Sequence, residues 1–259
     1  MKLKFTILLF VSILYSSLSF SQPTSYQNEG ANWYFGDHAG LTWTTMQANN
    51  NPTPLMDGML LTNEGVATIS DPNGTLLFYS DGKTVWAADH SVWPNTTTGS
   101  VGGQLLGDAS STQSGVIVPK PMDPNTYYLF AVDDNIGANG LTYSRVDMSA
   151  NFGLGDVDLT EKNIQLFTPA CEKITAVAHA NGLDIWVITH TWNSADFYVY
   201  LVTAAAGFNS TNPVITTIGT MMSGTSGNTR GYLKASPGGG KICMGIEGMN
   251  IYELYDFNS

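Results

Sequence analysis

Charge is scarce in this chain. Asp, Glu, Lys and Arg together make up 12% of its 259 residues, and 10 Lys and Arg face 21 Asp and Glu, for a formal net charge of −11. So few cations exclude a nucleic-acid interface, whose phosphates demand a Lys/Arg surface, and they argue against binding to an anionic membrane surface. Cysteine is nearly absent. Cys171 and Cys243 are the only two, too few for a disulfide framework. Cys243 sits in the apolar run Ile242-Cys243-Met244, which suits a small buried hydrophobe; whether the pair bridges in an oxidising compartment is left open by spacing alone. No segment after the N-terminus approaches a membrane-spanning length. Helical periodicity is nearly missing as well.

Motifs of catalysis are also lacking. There is no G-x-S-x-G elbow. His38, His90, His179 and His190 show no zinc-ligand spacing, and at strand ends they read as hydrogen-bonded polar residues. Pro237-Gly-Gly-Gly240 lacks the Lys and helix of a phosphate loop and is a turn. Asp71-Pro-Asn73-Gly74 begins like a calcium loop, but no bidentate Glu follows at position twelve. No metal site and no cofactor are expected from these residues.

The N-terminus has the three-part pattern of a secretory leader. Lys2 and Lys4 precede an apolar stretch from Phe5 to Tyr15, and small residues at Ser19 and Ser21 stand at −3 and −1 before Gln22. That stretch is too short to cross a hydrocarbon layer of roughly 30 Å. Residues 1–21 are therefore expected to be removed, leaving a mature chain from Gln22 that is not inserted in a membrane.

What the chain has in abundance is Gly (27), Thr, Ser and aromatic residues, with 43% of residues hydrophobic. This composition suits many short strands joined by tight turns. Apolar runs of five to nine residues, bounded by Gly, Asn, Asp and Pro, repeat one design four times. Glu64 to Ser70, a turn at Asp71 to Gly74, then Thr75 to Tyr79 form the first hairpin. The others pair Ser114–Val118 with Tyr127–Ala131, Lys173–His179 with Asp184–Ile188, and Arg230–Ser236 with Lys241–Gly245. A third strand follows each hairpin, and a fourth follows two of them, at Ile164 to Phe167 and Val214 to Ile218. First strands start at 64, 114, 173 and 230. Units of three or four antiparallel strands at such a period are the signature of propeller blades.

The fold expected for 22–259 is thus an all-β propeller of about four blades, with one extra strand around Trp33 to Trp43. A two-sheet β-sandwich is the alternative. Strand one of each blade should lie nearest the axis, where Gly65, Ala67, Gly115, Ala176, Ala178 and Gly231 relieve crowding. The last unit stops after its third strand, so the domain reads as incomplete at its C-terminus, a part of a larger propeller.

Seven residues before each short turn stand Glu64, Lys173 and Arg230, and Ser114 takes the corresponding place in the unit with the longer turn. On a propeller these four would share one level of the channel. Such a ring suits either a polar ligand or a structural ion network. Trp93 and Trp192 are candidates for stacking on sugars, or for packing between blades.

The motifs also carry a resemblance. They are Asn32-Trp-Tyr-Phe-Gly36 with Ala39-Gly-Leu41, Glu64 to Asp71, Asn73 to Gly82, and Ser110 to Ser114 with Val116 to Pro119. Glu172 to Val177, His179 to Gly182 and Gly231 to Pro237 complete the set. In this order they resemble the N-terminal propeller region of large secreted proteins of the Bacteroidota. Those proteins are exported by the type IX secretion system and often end in a gliding-motility-associated sorting domain. The resemblance implies a secreted or outer-surface, adhesin-type binding protein with no assigned reaction, whose partner is a polysaccharide or a surface protein. No sorting domain is present, so the periplasm is the expected location if the chain is complete. The alternative is a propeller hydrolase, a lactonase or glycoside hydrolase, using Glu64 with Glu172 or other acidic channel residues. Glycoside hydrolysis would need two carboxylates about 5–9.5 Å apart.

Overall fold

The computed structural model describes residues 28–46 and 51–259. The leader and its cleavage point before Gln22 lie outside the described residues. Among the described residues there are nineteen strands and no α-helix, only three-residue 3₁₀ turns, and no helix is long and apolar enough to cross a membrane.

The strands make five antiparallel sheets in chain order. The first is β1 (Asn32–Phe35), β2 (Ala39–Met46) and β3 (Pro52–Leu55); the second is β4 (Ala67–Ser70), β5 (Leu76–Ser80) and β6 (Val85–Ala87). The third is β7 (Gly115–Pro119), β8 (Thr126–Val132) and β9 (Leu141–Asp147), with β10 (Asp156–Val157) and β11 (Ile164–Phe167) both on β9. The fourth repeats that plan as β12 (Ala170–Ala178), β13 (Ile185–Thr191) and β14 (Ser194–Thr203), with β15 (Gly207–Phe208) and β16 (Val214–Met222) both on β14. The fifth is β17 (Leu233–Ala235), β18 (Lys241–Ile246) and β19 (Ile251–Asp256).

The first strands touch in sequence: β1 meets β4, β4 meets β7, β7 meets β12 and β12 meets β17. The sheets therefore stack as blades with strand one innermost, and the propeller, not the sandwich, is the architecture. Four of the blades are the four repeats. The extra strand around Trp33 to Trp43 is instead a complete three-stranded blade. Gly36 and His38 both adopt positive φ (61° and 57°) and fold the aromatic run back on itself, which its apolar pattern did not disclose.

The middle strands explain why blades must stack. Successive side chains on a strand point to opposite faces, so neighbouring residues feed different cores. Tyr79 packs toward the first blade with Tyr34 and Trp86, while Phe78 packs toward the third with Trp93, Tyr127 and Leu129. In β8, Leu129 belongs to that same core, whereas Tyr128 and Phe130 face the fourth blade with Val187 and Tyr200. In β13, Val187 looks back to the third blade and Ile188 forward to Leu233, Ile242 and Met244 of the fifth. Each fully buried side chain of this kind is worth about 1.5–3 kcal/mol. Such a strand reads as a continuous apolar run because both its faces are covered.

Candidate functional site

The inner strands bring charged and amide side chains together where the blades join. Glu172, on β12, has no solvent exposure. Its Oε2 accepts from the Thr112 backbone N–H at 2.8 Å and the Thr112 hydroxyl at 3.0 Å. Its Oε1 accepts from the Asn135 N–H at 3.0 Å and lies 3.1 Å from the Thr229 hydroxyl, whose single proton is shared with the Ser226 carbonyl. One carboxylate thus holds the loops of the third and fifth blades to the fourth.

Lys173 is equally buried and equally committed. Its ammonium donates to the carbonyls of Thr229 (2.9 Å), Arg230 (2.7 Å) and Gly231 (3.1 Å), using all three protons. Burial lowers its pKa to about 8, against a smaller opposing pull from Cys171, Glu172 and Glu247.

Gln113 completes the joint. Its amide N–H groups point at the carbonyls of Ile174 (2.8 Å) and Leu233 (3.4 Å), and its Oε1 accepts from the Ile174 N–H (3.2 Å) and the Leu233 N–H (2.7 Å). The side chain stands between β12 and β17 like a peptide group inserted where the two strands diverge.

The four residues of the expected ring meet different fates. Ser114 is buried, and its hydroxyl donates to the Gly65 carbonyl of the second blade. Gly65 has to be glycine, since a Cβ there would collide with the Ser114 nitrogen. Lys173 lies in the joint just described. Arg230 is half-buried and pairs with Glu247 at 3.5 Å. Glu64 is exposed, but it feels Glu172, Arg230 and Glu247 and interacts with Thr112. Its pKa is raised, chiefly by partial desolvation, then by Glu172 and Glu247 against the opposing pull of Arg230. The structure therefore gathers Glu64 and Arg230 with Glu172 and Glu247 at one end of the inner strands. Ser114 and Lys173 are turned instead onto backbone carbonyls.

Along the inner strands lies a cavity of about 480 Å³ lined from every blade, by Phe35, Thr68, Thr112, Thr175 and Lys234 among others; of the residues around the cluster, Thr112 reaches it. Trp93 is fully buried and Trp192 nearly so, both inside cores between blades, so neither presents a face to a sugar. Cys171 and Cys243 are both free thiols. His190 is buried, with its Nδ1 2.7 Å from the Thr191 carbonyl and its Nε2 without a partner among the described residues. Among the described residues one acidic group converges elsewhere: Asp108, Asp133 and Asp134 have carboxylate oxygens within 4.8 Å of one another. Asp133 already accepts from the Asp134 and Asn139 amides, and Asp108 lies 3.7 Å from the Lys83 ammonium.

Sequence reasoning weighed Glu172 only as a partner for Glu64 in hydrolysis and passed over Gln113 and Thr229. The signal for Glu172 was its position beside Lys173, an ion pair's worth of charge in an otherwise apolar strand.

No family model and no curated protein matches the chain. Two solved structures are similar to it. A candidate 6-phosphogluconolactonase from Bacteroides uniformis shares 11% identity at a TM-score of 0.42, covering 86% of this chain and 65% of its own. Hydrazine synthase of Kuenenia stuttgartiensis shares 12% at a TM-score of 0.39, covering 96% of this chain and 81% of its own. The chain thus spans just under two thirds of the length of the first. Likenesses this distant carry nothing about activity.

Proposed function

We propose that the chain is a non-enzymatic propeller module of a secreted or outer-surface protein, one that binds a polysaccharide or surface protein or displays neighbouring domains. The observation that carries this reading is the saturation of the inner charges. Glu172 has three donors of its own and a shared fourth, and Lys173 has three acceptors. Groups so engaged fasten blades; a general acid or base needs a free lone pair or proton within reach of substrate. The leader pattern before Gln22 and the resemblance to proteins exported by the type IX system support the surface location. The half-exposed cluster of Glu64, Arg230 and Glu247, joined through Thr112 to a cavity offering threonine hydroxyls, suits a polar partner.

A hydrolase is the second reading, and the raised pKa of Glu64 is what favours it, because a general acid must hold its proton. It lacks an unengaged second carboxylate in Glu172. The test is a screen of the chain and of Glu64→Gln against a polysaccharide array and against lactone and glycoside substrates. Binding without turnover is expected from both proteins. Turnover by the parent that disappears in Glu64→Gln would overturn the proposal.

A further inference from the structure

The inner strands of the three middle blades have both faces covered, and those of the two end blades do not. On the first blade the face turned away from the second carries Trp33, Phe35, Leu41, Trp43 and Pro54, which share one side by register and alternation. Trp33 is 51% exposed, with its ring 4.5 Å from that of Trp43. On the fifth blade the face turned away from the fourth carries Tyr232, Lys234, Cys243, Tyr252 and Leu254. Tyr252 is 83% exposed, Leu254 67% and Tyr232 52%. A stack of repeats needs polar outer faces at its ends to stay soluble. Among the described residues neither end has one.

We infer that both faces are seats for further sheets of the same repeat, carried by polypeptide continuous with this chain, and that the five blades are an arc of a larger closed ring. Three observations lead there. Wherever the equivalent face of another blade is covered, a sheet of this same kind covers it. The two bare faces also differ in chemistry, one built on tryptophans and the other on tyrosines around a lysine. That suits successive positions in a repeat and does not make either face complementary to itself. Finally, Trp33 and Phe35 of the first blade line the same 480 Å³ cavity as Tyr232 and Lys234 of the fifth. Two ends that share one cavity near the axis leave space for a few sheets at about 10 Å spacing, not for the five of a second copy.

Cys243 lies in the middle of one bare face and Cys171 is buried in the core between the fourth and fifth blades, so the two thiols provide a probe and its control. The chain from Gln22 to Ser259 and the same chain continued by its downstream coding sequence would be treated with a thiol-specific disulfide reagent under native conditions. Their masses would be taken by light scattering. The shorter chain should be monomeric with a reactive Cys243, and continuation should slow that reaction at least a hundredfold while Cys171 stays silent in both. Leu254→Glu should leave the melting of the shorter chain unchanged and lower that of the longer one. A stop codon directly after Ser259 would overturn the inference. So would a Cys243 equally reactive in both chains, or a concentration-dependent dimer of the shorter chain that protects it, which would make a second copy the occupant.

Discussion

Replacing Glu172 with Gln keeps the shape of the side chain and removes its charge. An amide presents one oxygen and one NH₂ where the carboxylate presented two acceptors. Whichever way it turns, its NH₂ faces a backbone N–H that cannot accept, that of Thr112 or of Asn135, and the hydroxyl beside it, of Thr112 or Thr229, must turn to receive the other proton. Hydrogen bonds to a charged group contribute about 1.5–3 kcal/mol each, and a buried donor left unpaired costs about 1–3 kcal/mol. The Lys173 ammonium loses an attractive anion in the same step. The two side chains do not touch, but leaving the buried Lys173 charge without its neighbouring anion adds to that loss, for about 3–5 kcal/mol in all. At about 2–4 °C per kcal/mol for a domain of this size, Glu172→Gln should melt some 6–20 °C below the parent. Glu64→Gln serves as the control, because Glu64 is exposed and Arg230 keeps Glu247 as its partner; it should melt within about 2 °C of the parent. Differential scanning calorimetry on the three proteins provides the comparison. A Glu172→Gln protein melting within about 2 °C of the parent would refute the joint as the source of stability. If that protein had instead lost turnover of a sugar or lactone, the non-enzymatic reading would fall with it.

Two further outcomes follow from the same geometry. Gln113→Ala strands two backbone N–H groups and two carbonyls between β12 and β17, so urea denaturation should show a loss of about 2–4 kcal/mol; a loss below about 0.5 kcal/mol would contradict that role. His190 has its pKa lowered to about 4, first by burial, with Lys173 adding to the shift and Asp196 and Glu253 opposing it. The unfolded chain, with an ordinary histidine near 6.5, binds this proton first, so stability falls as pH drops from about 6.5 to 4, by roughly 3 kcal/mol in full. His190→Gln should flatten that part of the stability profile, and an unchanged slope would show that the titration belongs elsewhere.

The blades were legible because strand geometry is local. Turns such as Asp71 to Gly74 and Pro237 to Gly240 announce themselves by composition, and the apolar runs between them have strand length. The sequence marks β11 of the third blade to the residue, Ile164 to Phe167, and is silent on the two-residue β10 before it. The first blade reads as a single strand only if the turn composition of Gly36-Asp37-His38, between β1 and β2, is outweighed by the aromatic residues around it; the positive φ of Gly36 and His38 makes the reversal. The joint was harder to read for a related reason. Pattern reasoning assumes that side chains alternate, but β12 shifts register between Ala170 and Ile174, so Cys171, Glu172 and Lys173 are all buried in succession. Counting back from the turn found Lys173 and, by the same rule, set aside Glu172 beside it. Gln113 was invisible for a different reason, since all four of its bonds go to backbone groups up to 120 residues away, and no local pattern encodes them.

Native-state hydrogen exchange tests the central claim most directly, because it reads which strands lie between others. In a stack fastened at its inner strands, β12 and β13 are covered on both faces and β12 is tied through Gln113, Glu172 and Lys173. Their amides should exchange only by global opening, while β1 and β19, at the bare ends, should exchange through local opening at far lower free energy. Glu172→Gln should erode the protection of β12 and β17 first. Uniform protection across all five sheets, or a fifth sheet as slow as the fourth, would contradict the account.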